Sequence, residues 1–209
     1  MNEAAAREHL QTIRTLMERA AIYRRALAPM MLAAGALGVV AAAVGWSVPL
    51  AGAPGFFALW VGTSVVVVGI SSALIRREAI GAAEPFWTPP TRRVAQAVLP
   101  VVVAGVAITV LFLRSGSGDG RWVATVVPTV WMVCHGLGLH AAGFFMPRGI
   151  RWFGWGFVLL GGLLVLTGPI LPAALTSFRG AHLVMGATFG FGHLAYGLYL
   201  RATEKGTSE

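Results

Sequence analysis

The run from Trp122 to Phe145 carries no charged side chain and exceeds the ~20 helical residues that cross a bilayer core. Five more runs share that character: Leu27–Val48, Phe56–Ile75, Val94–Leu113, Phe153–Leu171 and Ala181–Leu200. In hydrocarbon the backbone N–H and C=O groups must be paired inside the segment, so such runs fold as helices. A barrel would show alternating strands of about 10 residues, and VGTSVVVVGISSALI at 61–75 does not alternate. The expected fold is all-α, an integral membrane six-helix bundle.

Charged residues make up only 11% of the chain, against roughly 25% in a soluble domain. The net charge is +8. In a soluble protein that balance would suggest nucleic acid, but here the charges cluster between apolar runs, so no direct nucleic acid binding is expected. Thirteen Lys and Arg fall on one side of the alternating spans, among them Arg76, Arg77, Arg92, Arg93, Arg148, Arg151, Arg201 and Lys205. Only Arg114, Arg121 and Arg179 fall on the other. The positive-inside rule then places both termini in the cytoplasm. Trp46, Trp87, Trp122 and Trp152 sit at span ends, where aromatic anchors belong.

Residues Asn2 to Arg25 read as an amphipathic helix, with Leu10, Ile13, Met17 and Ala20 at helical spacing and Arg7, Arg14, Glu18 and Arg25 opposite. It is too polar for a cleaved signal peptide. The domain reading is a cytoplasmic helix at 1–26, a six-span domain at 27–201 and a cytoplasmic tail at 202–209. Pro85, Pro89 and Pro90 give the 76–93 segment an extended path. Small residues at four-residue spacing mark helix contacts: Ala34, Gly38 and Ala42, Gly138 and Ala142, Gly186 and Gly190.

No Asp, Glu, Lys or Arg lies in the core of a span, which counts against proton pumps, ion-coupled carriers and voltage sensors. No hydrolase or nucleotide motif is present, so no catalytic residue is assigned. A single cysteine, Cys134, excludes an internal disulfide and any Cys-based zinc or haem-attachment motif. Histidine is the exception. His135 follows Arg121 by fourteen residues, and His193 follows Arg179 by the same interval. At 1.5 Å per residue both imidazoles lie about 21 Å below their outer arginines, at one depth. The plainer expectation is two buried rings bonded to backbone, hydroxyls or each other, with no cofactor and no metal. The sharper one is a cofactor site, His135 and His193 gripping haem b, a metal ion or quinone. His140 lies about 140° round the helix from His135 and is expected to face elsewhere. His182 is expected near the outer surface, solvated, and on the same helix face as His193.

The segments IRTLMERAAIYRRALAP, EPFWTPPTRR, HGLGLHAAGFFMPRGIRWFGW and MGATFGFGHLAYGLYL together resemble a family of polytopic bacterial inner-membrane proteins whose members are often encoded beside winged-helix transcriptional regulators. The resemblance implies six helices and a regulatory or sensory association, and supplies no catalytic residues. The leading functional expectation is a non-enzymatic scaffold, sensor or regulatory partner. Its Arg-rich face, formed by Arg14, Arg24, Arg25, Arg76, Arg77, Arg92 and Arg93, would meet anionic headgroups or a cytoplasmic protein partner. The alternatives are the redox or ligand-binding protein just described and a small-molecule carrier. A homo-oligomer is compatible with each.

Overall fold

The computed structural model describes residues 26–48, 52–83, 85, 87, 89–115, 120–146 and 149–205. Among the described residues, six helices are long and apolar enough to cross a membrane, which marks a multi-pass membrane protein. They are α1 (Ala26–Ser47), α2 (Gly52–Gly81), α3 (Pro89–Ser115), α4 (Gly120–Ala142), α5 (Gly149–Thr167) and a composite sixth span, Phe178–Thr203. The sixth span consists of α6 (Phe178–Met185), a π-helical segment (Gly186–Gly192) and α7 (His193–Lys205). The amphipathic segment before residue 26, with Arg14, Arg24 and Arg25, lies outside the described residues.

Two helices run further than expected. α2 continues through Arg76 and Arg77 to Gly81, and α3 begins at Pro89, so the connector shrinks to 82–88. Proline at the head of a helix removes an N–H that has no intrahelical acceptor there, which is why Pro89 and Pro90 start α3 rather than prevent it. The last helix likewise enters the expected tail and ends at Lys205.

α4 is the most buried span and packs chiefly on α5 and α3, whereas α2 and α3 show most of their surface to lipid. Glycine sets both tight contacts. A Cβ built on Gly136 would lie 2.5 Å from the Gly154 carbonyl oxygen, and one on Gly161 would lie 3.0 Å from that of Thr129, so α4 and α5 run antiparallel with backbones almost touching. Gly138 instead faces Val101 on α3 at ordinary distance. The close backbone approach on α4 therefore belongs to Gly136 rather than to Gly138, while Ala142 is buried as a contact residue should be. α1 lies antiparallel on the sixth span: Leu32 meets Gly197, Gly35 meets Leu194, Gly38 meets Gly190, Ala42 meets Gly186 and Gly45 meets the His182 ring. Here Gly38, Ala42, Gly186 and Gly190 act as the spacing predicts. Gly35 and Gly45 join them.

The interior divides into two apolar clusters. One, at the predicted outer end, gathers Ala41, Ala42, Phe56, Phe57, Trp60, Val123, Ala124, Val127, Ala181 and Met185. The other, at the predicted inner end, centres on Leu27, Met31 and Ile150, with Phe153 and Tyr196 against it.

Candidate functional site

Between those clusters α4 and α7 bring His135 and His193 together, Nε2 to Nε2 at 3.1 Å. One ring donates and the other accepts. The ring centroids are 5.1 Å apart, so the imidazoles meet tip to tip. The shared depth deduced from the two outer arginines is where they are found.

Aromatic rings pack on both members of the pair. Phe157 and Phe189 each lie 5.0 Å from His135, and Phe153 lies 5.1 Å from His193. Phe153 in turn stacks on Tyr196 at 4.4 Å. His193 is 4% exposed. Its Nδ1 makes no hydrogen bond of full geometry, although the Phe189 and Thr188 carbonyls lie beside the ring.

The π segment explains how His193 reaches α4. His182 and His193 would share a face of an unbroken α-helix. A π turn holds one residue more than an α turn and so rotates every later residue of the span by about 100°. The sequence GATFGFG favours this widening. Gly190 has the α1 backbone pressed against it, and the Thr188 hydroxyl donates to the Val184 carbonyl at 2.8 Å, competing for a helix acceptor.

His182 consequently faces other partners. It is 1% exposed, not solvated: the Trp60 indole N–H donates to its Nδ1 at 3.0 Å, and Phe56 packs on it at 5.0 Å. Trp131 donates its own N–H to Thr109 at 3.0 Å, tying α4 to α3. Trp60 and Trp131 escape a reading of the sequence that looks only at span ends. Their signal is depth, since a tryptophan well inside a span carries an N–H that must find an acceptor in hydrocarbon. His140 stays apart from the pair, as its angular offset predicts, and packs 5.5 Å from Phe144 and from Trp155. The hydroxyls of Thr63 and Ser64 bond back to Leu59 and Val61 on their own helix, so they line no polar path.

The surroundings of the pair do not fit haem. An iron between two imidazoles needs their Nε2 atoms about 4 Å apart and a porphyrin-sized slot between α4 and α7. The imidazoles are instead in direct hydrogen-bond contact, with Phe153, Phe157 and Phe189 packed on them at centroid distances of 5.0–5.1 Å.

Removing either imidazole leaves the other unpaired among apolar rings, which costs about 1–3 kcal/mol. His135→Ala and His193→Ala should each lower stability on that scale. Combined, they should lose less than the sum, by about 0.6–1.7 kcal/mol, the range of hydrogen-bond couplings between membrane helices. Denaturation in mixed micelles measures the cycle, and strictly additive losses would mean that the pair is not coupled.

Arg76, Arg77, Arg92 and Arg93 are all exposed, the first two on the last turns of α2 and the others near the start of α3. The short connector brings the two helix ends, and so the four guanidinium-bearing residues, to one end of the bundle. No protein-family model, curated protein or solved structure matches the chain, so the class that stands is an all-α, multi-pass membrane protein.

Proposed function

We propose that the chain is a non-enzymatic inner-membrane scaffold or sensor that presents a basic cytoplasmic face to an acidic partner. The observation carrying this reading is the placement of Arg92 and Arg93. Near a helix N-terminus a cation gains nothing from the helix dipole, which favours negative charge there. Together with Arg76 and Arg77 across the 82–88 connector, they concentrate four positive charges at one end of the bundle, two of them where the helix dipole disfavours a cation. Arg14, Arg24 and Arg25 would extend the same face. The likeness to a family encoded beside winged-helix regulators makes a soluble regulator the first partner to test. Anionic headgroups are the second.

A photo-crosslinking residue in place of Arg77 or Arg92, in living cells, tests this directly. The expected product is one discrete adduct with a cytoplasmic protein. Adducts with lipid alone would reduce the face to a topology signal, and a C-terminal reporter active in the periplasm would overturn the orientation. A Soret band in the purified protein would restore the haem reading.

A further inference from the structure

We propose that His135 and His193 form a two-coordinate site for a soft monovalent cation of d10 configuration, Cu(I) or Ag(I), held in line between their Nε2 atoms. This goes beyond the docking role and does not depend on it.

The number of ligands selects the ion. Two imidazole nitrogens point at each other 3.1 Å apart. Among the described residues no group of three or more His, Cys, Asp or Glu comes together. Zinc takes four ligands, and octahedral ions take six oxygens. Monovalent d10 ions accept two nitrogens in a line. Metal–nitrogen bonds of about 2 Å would place the nitrogens about 4 Å apart. A bare ion therefore asks the rings to part by under about 1 Å, where a porphyrin needs a far wider opening between α4 and α7.

The neighbours suit the task. Histidine ligands almost always donate the second ring N–H to a carbonyl or carboxylate, which fixes the tautomer. The Phe189 and Thr188 carbonyls lie beside His193, within the π segment that leaves the α-helical bonding pattern. Nδ1 of this ring, 4% exposed, lacks a bond of full geometry. A small pivot on metal binding would complete one. Phe153, Phe157 and Phe189 pack on the two imidazoles and offer polarisable rings to a single positive charge. Binding involves no redox step: the ion enters, the donor ring's Nε2 proton moves to its own Nδ1, and the site gains one positive charge. Cys134 is next in sequence but about 100° round the helix, so it is not a third ligand.

The test is a competition titration of the full chain in detergent, purified without a histidine tag. The probes are Cu(I) under anaerobic reductant against a chromogenic chelator, and Ag(I), which is redox-inert. One equivalent should bind per chain. His135→Gln and His193→Gln should each weaken binding at least about 100-fold, whereas His182→Gln and Cys134→Ser should leave it unchanged. X-ray absorption of the loaded wild type, which needs no variant to fold, should show two nitrogen neighbours and no sulfur. Retention in His193→Gln, loss in Cys134→Ser, a shell of three or more ligands, or no binding in competition with the chelator would each overturn the site.

Discussion

Replacing Gly38 with leucine is expected to prevent assembly of the bundle, while leucine at Gly62 leaves it intact. A Cβ on Gly38 would sit 2.9 Å from both the Cα and the amide nitrogen of Gly190. Those are backbone atoms and cannot rotate aside. α1 would have to lift off the sixth span, surrendering the contacts of Gly35 with Leu194, Ala42 with Gly186 and Leu32 with Gly197. In lipid no hydrophobic force pulls two apolar helices together, so close van der Waals packing carries the association. Ordinary overpacking costs about 1–3 kcal/mol; a leucine that unseats a whole helix pair should exceed about 3 kcal/mol, and Gly38→Ala should fall within the ordinary range. At Gly62 nothing lies within 4 Å, and leucine improves helix propensity by under about 1 kcal/mol. Monodispersity on size exclusion and the midpoint of unfolding in mixed micelles separate the two cases. Equal behaviour of the two leucine variants would mean that α1 does not rest on the sixth span.

That contrast also marks what the sequence discloses. Spacing alone points to Gly38, Ala42, Gly186 and Gly190, because helices in lipid advertise their contacts through small residues. Counting from Arg121 and Arg179 finds the depth at which His135 and His193 meet, because rise per residue is nearly constant. Rotation about the axis is not legible in the same way. The π segment shifts phase by a residue, so His193 turns to α4 instead of aligning with His182, which faces Trp60. Nothing in a hydropathy pattern records an extra residue in a turn, although the run of glycines with Thr188 is the place to look for one. Likewise the fate of Gly136 against Gly138 depends on which neighbour each faces, α5 or α3, and that is a property of assembly. The connector at 82–88 departs from expectation for a local reason: proline breaks a helix from within but opens α3 from its first turn.

The second large effect is expected from Phe56→Ala, with a loss of about 3–5 kcal/mol. Phe56 is 1% exposed, and the rings of Phe57, Trp60, Trp131, Phe178 and His182 surround it at centroid distances of 5.0–6.4 Å. Those rings stand on α2, α4 and α6, so the void could close only by shifting all three together. Interiors relax little around such deletions, and the lost dispersion contacts have no replacement. Phe56→Leu retains most of the volume and should cost about 1.5 kcal/mol or less. Leu166→Ala is the matching control on α5: its side chain is 80% exposed, and the change should stay within about 0.5 kcal/mol. The ring also supports the Trp60–His182 bond, so Phe56→Ala and Trp60→Phe should be non-additive, as expected of residues in direct contact. Tryptophan emission gives an independent reading, since both Trp60 and Trp131 pack on Phe56. A red shift should accompany the stability loss in Phe56→Ala and be absent in Leu166→Ala. If His135→Ala produced the same red shift, the outer cluster and the imidazole pair would be one cooperative unit. The π segment between them predicts instead that His182 and His193 respond separately.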